Sequence, residues 1–398
     1  MKFFAIASVI AGLAASASAQ VGVWSATPAN GGEAVVGAID ALGPIDAGEL
    51  SAKVGGEDVA AVRLLQLVPI RTGGPGGRFR LHLNNGDILR GEVAAIDDAG
   101  ITMRTTYLGD VRVPLERAVA LRAFSENGIG APATDGDRPL SDEVRLANGD
   151  RVSGFLVGFE NGELTVQQDD GAEITLPLDA VERVAFADPG ELPAEEAGGA
   201  KIVLSDWTTL SVATAQVLES GAWEIAYNNA TARVAPADIL AVESAARGRV
   251  WLADQPAADV AQTPYFAASF PLSRAAGLES VVAANARLGR VPGRSIEVRS
   301  RSAVTFDVPP DEWTRLRVGY RIGRDGEALP QADVDLRILL DGEPAAEQIG
   351  VAQADGPGAF DVPLGDAATL TLLVDYGQRL DVQDQLVWIE PVLIRDAE

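Results

Sequence analysis

Few residues in this chain can do covalent chemistry. There is one histidine, His82, in "RLHLNN", and no cysteine. His82 stands between Leu81 and Leu83, so on a strand it is expected to face outward or to sit at a seam. A nucleophile–base–acid triad needs a Ser or Cys held beside the histidine and an acid to orient it, and no such partner is indicated near it. With a single His and no Cys, zinc and redox-metal sites are excluded. No catalytic residue is expected.

Carboxylates are abundant, so glycoside hydrolysis has to be weighed. It needs two carboxyls roughly 5 to 10 Å apart in a cleft, one of them kept protonated. The pairs Asp97-Asp98, Asp169-Asp170 and Glu195-Glu196 fall at expected turns or linkers, where water solvates them. A third cluster, "DYGQRLDVQD", brings Asp375, Asp381 and Asp384 onto one loop. Calcium takes six to eight oxygens and is the one cofactor such a loop suggests, although EF-hand spacing is missing and a solvated turn is preferred. Sugar recognition asks for less: an exposed aromatic ring with polar groups around it. Trp251 and Trp388 sit in apolar strands and read as core. Tyr265 in "QTPYF" and Trp313 in "PPDEWTRL" sit in loop-like contexts and are the ring candidates.

The elements that would position these residues are strands. The segments from Arg78 to Phe124 and from Asp142 to Phe186 align without a gap, matching Asn85-Gly86-Asp87 to Asn148-Gly149-Asp150 and Gly91 to Gly154. Asn-Gly suits a tight hairpin that needs positive φ, and Gly inside a strand marks a bend. "ITMRT", "LTVQQ" and "WEIAY" alternate with period two. Lys201 to Val242 keeps the plan, with Pro236 set against Pro177, and is read as lacking the turn motif. "GELSAKVGGEDVAAVRLLQLV" (48–68) resembles the second half of a repeat. Fixed-period self-similarity decides the architecture: all-β, with tandem SH3-like or Sm-like small barrels followed by a jelly-roll sandwich. The expected boundaries are 20–77 for a degenerate repeat and linker, 78–124, 141–188 and 199–246 for the three repeats, and 248–398 for the sandwich. The Gly-, Pro- and acid-rich stretches between them read as linkers.

"MKFFAIASVIAGLAASASA" (1–19) has a basic start, a short apolar run and a small-residue end, the pattern of a secretory signal peptide. No later stretch has the roughly 20 apolar residues of a span. The expected location is exported: periplasmic, cell-surface or extracellular. The net charge of −25, from 32 Lys and Arg against 57 Asp and Glu, opposes nucleic-acid partners, because phosphate binding depends on cations.

The C-terminal phrases carry a resemblance. "GRVWLADQPAADVAQTPYF", "SIEVRSRSAVTFDV", "RLRVGYRIGRDG", "VDLRILLDGE" and "LTLLVDYGQRLDVQDQLVWIEPVLI" span Gly248 to Arg395. They resemble the NPCBM-type carbohydrate-binding module associated with glycosyl hydrolases, a jelly roll of galactose-binding-like type. The family's Gly-x-Gly-x-His-Ser strand is replaced here by Ser295-Ile296-Glu297-Val298-Arg299-Ser300, so its histidine contact is missing. Asp384 and Trp388 fit the family's closing Asp-to-Trp phrase. The resemblance implies glycan binding, with Tyr265, Trp313, Arg299 and Asp384 as site candidates. The expected partner is a carbohydrate or an envelope protein. A purely structural envelope protein without a sugar site is the alternative, and an accessory subunit of a glycoside hydrolase a further one.

Overall fold

In the computed structural model, the residues described are 23–28, 35–46, 49–67, 76–97, 100–125, 139–188, 199–218, 220–228, 230–244, 248–265, 272–288, 293–323 and 327–395. The expected leader, Asp98, Glu195, Glu196 and the centres of the expected linkers lie outside them. The chain is almost entirely β and divides into two compact units, Met1–Ala246 and Arg247–Glu398.

The N-terminal unit holds four copies of one plan. A leading repeat comprises β1 (Trp24–Pro28), β2 (Val35–Gly37), β3 (Ile39–Asp46), β4 (Glu49–Val54) and β5 (Glu57–Gln66). Repeat 1 comprises β6 (Phe79–Leu83), β7 (Ile88–Asp97), β8 (Gly100–Thr105), β9 (Gly109–Val113) and β10 (Ala118–Ala123). Repeat 2 comprises β11 (Asp142–Leu146), β12 (Arg151–Glu160), β13 (Glu163–Gln167), β14 (Glu173–Pro177) and β15 (Val181–Ala185). Repeat 3 comprises β16 (Ala200–Leu204), β17 (Thr209–Val212), β18 (Thr214–Val217), β19 (Trp223–Tyr227), β20 (Ala230–Val234) and β21 (Ile239–Ser244). In each repeat the last strand returns to the first, as β10 does to β6 and β15 to β11. The leading repeat is thus more complete than its sequence suggests: β1 and β5 pair in the same way.

The expected bend at the paired glycines is present. A Cβ on Gly91 would stand 2.3 Å from the carbonyl oxygen of Arg104, and one on Gly154 2.3 Å from that of Gln167. The second strand curls so tightly over the third that no side chain fits. The hairpin turn is also present, with Gly86 at φ 77° and Gly149 at φ 93°. Repeat 3 corrects the sequence reading. It keeps the turn with Asp206-Trp207-Thr208, Trp207 taking the glycine's place at φ 69°. Asp206 Oδ1 accepts from Thr208 N at 2.9 Å, as Asn85 Oδ1 accepts from Asp87 N at 3.0 Å. The positive φ is tolerated at a cost because Trp207 is buried, 2 % exposed.

The repeats are also joined to one another. They pair edge to edge, so that among the described residues eighteen strands belong to one continuous hydrogen-bonded sheet. Strands β10 and β15 pair with Leu121 opposite Val184, and β7 meets β12 at Ile96 opposite Phe159. Both are pairs of matched positions, so a local two-fold relates repeats 1 and 2. Strands β5 and β21 join the leading repeat to repeat 3. An open strand edge presents unpaired N–H and C=O groups, and mutual pairing satisfies them. One core runs through the unit, from Trp24 stacked on Trp223 to Leu121 and Val184.

The C-terminal unit is a sandwich of two antiparallel sheets. Its strands are β22 (Arg249–Trp251), β23 (Asp259–Gln262), β24 (Ser273–Ala275), β25 (Ser295–Arg299), β26 (Ser302–Asp307), β27 (Arg315–Ile322), β28 (Asp333–Leu340), β29 (Glu343–Ala352), β30 (Gly358–Pro363), β31 (Thr369–Tyr376) and β32 (Gln385–Ile394). One sheet runs β24-β25-β32-β27-β30 with β22 also on β32, the other β23-β26-β31-β28-β29. Alternation along β27 and β28 sends Leu316, Val318, Val334, Leu336 and Ile338 inward. Helix α1 (Gly277–Leu288) follows β24. Asp254 accepts from Gly277 N at its start and pairs with Arg294 at 2.7 Å.

Candidate functional site

The two ends of the sandwich present different surfaces. At one end β23, β25, β27, β29 and β31 finish and β26, β28, β30 and β32 begin. Tyr265 lies here, 56 % exposed, its ring edge-on to Tyr376 with centroids 6.2 Å apart. Two bonds fix its segment. Tyr265 N donates to Asp381 Oδ2 at 3.1 Å, and the Tyr376 hydroxyl donates to the carbonyl of Thr263. The result is a braced, solvent-facing ring.

Asp384 ties the loops of this end together from below. It is 2 % exposed. Its Oδ2 accepts from Ser300 Oγ at 2.7 Å and its Oδ1 from Asp333 N at 3.2 Å, while Ser300 N donates to its carbonyl at 3.3 Å. Burial pushes its carboxyl up to about 6, against the pull of the Ser300 and Asp333 bonds and with help from the Asp333 and Asp381 charges. Asp384 therefore positions the loops and is too enclosed to meet a ligand. Arg299 is exposed at the end of β25, opposite Gln385, and borders the same loop cluster. Leu380 is 37 % exposed in the neighbouring turn.

Trp313 lies elsewhere. It follows β26, whose far end points away from Tyr265, and it is 8 % exposed. Its ring joins the sandwich core and carries the Arg395 guanidinium at 5.2 Å, with Arg395 held by Glu312 at 3.0 Å. The expected exposed Trp313 ring is thus corrected: a loop context in sequence did not mean solvent, because "PPDEW" folds the indole back under the sheet. Tyr265 and Trp313 do not line one surface. Trp388 is in the core as expected, against Tyr320 and Phe360. Trp251 is half-buried beneath Arg294.

The acidic loop does not gather its carboxylates on one point. Asp375 pairs with Arg337 at 3.1 Å and Arg301 at 3.5 Å, Asp381 holds Tyr265, and Asp384 is committed below. Among the described residues no group of three or more His, Cys, Asp or Glu is arranged to hold a metal ion. His82 is 6 % exposed, and burial together with Arg80 and Arg122 lowers its imidazole to about 3, so it stays neutral. Sequence reasoning missed Tyr376, the brace under Tyr265. Its place at the end of an alternating strand just before "GQRLDVQD" was the available signal.

Comparison with known proteins adds one family. Residues 288–394 match the NPCBM/NEW2 domain. Arg299, Trp313 and Asp384 lie within the match, and Tyr265 precedes it. No curated protein matches the chain. Among solved structures, the carbohydrate-binding module CBM51 of a Clostridium perfringens GH95 protein, in complex with methyl-galactose, is 13 % identical over 36 % of this chain and 99 % of its own, with a TM-score of 0.29. The tandem CBM51 modules of a Streptococcus pneumoniae family 98 glycoside hydrolase are 11 % identical over 94 % of this chain and 88 % of theirs, with a TM-score of 0.31. At such scores these likenesses carry no argument, and the family match stands by itself.

Proposed function

We propose that the C-terminal unit binds a carbohydrate at the loop end that carries Tyr265. The observation that carries this reading is the exposed ring of Tyr265, held rigid by Tyr376 and Asp381. The NPCBM/NEW2 match over the adjoining strands supports it. A sugar's apolar face stacks on such a ring while polar groups at the rim fix its orientation. Arg299 is the rim group offered here. The buried His82, beside Arg80 and Arg122, has no place at the Tyr265 end, and the reading is of a non-catalytic binding protein. The leader-like residues 1–19 support export to the periplasm, cell surface or medium, with the N-terminal repeats serving as a platform toward envelope components.

One shallow site gives about 4 kcal/mol, near-millimolar affinity. A glycan array probed with the full chain and with Tyr265→Ala tests the reading. Binding that the variant loses by at least tenfold is expected. No binding to any glycan, with capture of envelope proteins by the same chain, favours the structural alternative and overturns this one.

A further inference from the structure

Repeats 1 and 3 meet across a second kind of local two-fold. Ile88 on β7 pairs with Thr209 on β17, and the two residues hold the same place, each following the turn. The polar contacts around them are reciprocal. Asp87 Oδ1 accepts from Ser211 N at 2.7 Å and from Ser211 Oγ at 2.6 Å. In the mirrored position Arg90 N donates to Thr208 Oγ1 at 3.3 Å. Asp87 matches Thr208, and Arg90 matches Ser211. Further bonds run both ways, Arg90 Nη1 to the Asp206 carbonyl at 3.0 Å and Lys201 Nζ to the Gly86 carbonyl at 3.3 Å. The contact seals Asp87 completely, at 0 % exposure.

Repeat 2 carries the same edge uncovered. Its turn is built alike, with Asp150 N on Asn148 Oδ1 at 3.0 Å and Asn148 Nδ2 on Asp150 Oδ2 at 2.7 Å. Asp150, Arg151 and Ser153 are all exposed. This edge is self-complementary. Asp150 matches Asp87, the acceptor of the repeat 1–repeat 3 contact, and Ser153 matches Ser211, its donor. Beyond Ser153 on the same outward face stand Phe155 and Val157, 51 % and 44 % exposed, with Leu140 at 96 % just ahead of β11. Repeat 1 has Glu92 and Ala94 at the places of Phe155 and Val157. Apolar side chains gathered beside an open, polar-matched edge mark an interaction surface.

We propose that repeat 2 pairs with repeat 2 of a second copy of this chain, edge to edge across a two-fold at Arg151. A closed two-fold contact requires a surface complementary to itself, and an acceptor and a donor on one edge supply that. Each Asp150 carboxylate receives the amide and hydroxyl of the second copy's Ser153, so the Asp87–Ser211 contact is made twice. Each Arg151 keeps its own Glu143 at 3.4 Å, which offsets the approach of two guanidinium groups. Phe155 and Val157 extend the contact on either side. The inference stands independently of the glycan reading; its consequence for that reading is two sugar sites per particle, and so avidity.

Sedimentation velocity on the full chain at micromolar concentration tests the pairing. A dimer is expected, with Phe155→Asp and Ser153→Arg each raising its dissociation constant at least tenfold while the unfolding midpoint holds. A second measurement uses the absence of cysteine. Arg151→Cys places the two thiols at a facing strand position, within disulfide range, and is expected to cross-link under mild oxidation. A chain that stays monomeric, or a dimer that neither variant weakens and Arg151→Cys does not trap, overturns the proposal.

Discussion

Tyr265 and Trp313 sit at opposite ends of one sandwich, and the ends treat an aromatic ring in opposite ways. At the first, Tyr376 and Asp381 hold Tyr265 up to solvent. At the second, Arg395 closes over Trp313 and the ring fills the core. Two aromatics in loop-like sequence contexts thus yield a platform in one place and a plug in the other. What separates them is the neighbouring structure: the Tyr265 segment is tied down by Asp381 and Tyr376 through its backbone, which leaves the ring outside, while the Trp313 ring itself packs into the core. An aromatic in a loop becomes a binding candidate when something other than the ring fills the space below.

The largest effect that sharpens this contrast is on stability. Trp313→Ala is expected to cost about 3–5 kcal/mol, since it empties a core position. Chemical unfolding measures it, and a cost below about 1 kcal/mol would place Trp313 outside the core. Tyr265→Ala should change stability by no more than about 0.5 kcal/mol, as an exposed substitution does. Its expected effect is on binding, a loss of at least tenfold or about 1.4 kcal/mol. Equal stability costs at the two sites would break the comparison.

The smallest effect concerns the brace. Asp384 titrates at about 6 in the folded chain and near 3.9 when unfolded, so between those values the folded state holds the extra proton. Its contribution to stability is highest below about pH 4 and falls as pH rises to about 6. Asp384→Asn should remove that slope, because its carbonyl can keep Asp333 N and its amide can donate to the Ser300 hydroxyl. His82 acts with the opposite sign. Its folded value of about 3 lies below the unfolded 6.5, so acid between those values destabilises the N-terminal unit. The Asp384 slope is therefore read as the difference between the two proteins, followed by unfolding at pH 4 and pH 7. Identical pH profiles would show that Asp384 is not strained.

Much of the architecture was legible because turn chemistry repeats. Asn-Gly-Asp twice, with Gly91 and Gly154 at matched places, is enough to specify the hairpin and the bend. Repeat 3 hid the same turn because Trp207 replaced the glycine, and a left-handed tryptophan is sustained by packing that composition does not reveal. The pairing of repeats was hidden too. Edge pairing depends on which strand ends are left open, and Leu121 opposite Val184 or Ile88 opposite Thr209 cannot be read from alternation. At the candidate site, exposure of Tyr265 followed from its loop, while the burial of Asp384 and Trp313 required the tertiary fold.

The most direct test of the central claim is to locate the bound sugar. Amide chemical-shift mapping of the full chain, titrated with a glycan that scores on the array, reports where binding occurs. Perturbation is expected at Tyr265, Tyr376, Arg299 and the 377–384 turn, with the residues around Trp313 and Arg395 unmoved. Shifts centred on Trp313, or spread over the N-terminal repeats with Tyr265 silent, would contradict the account.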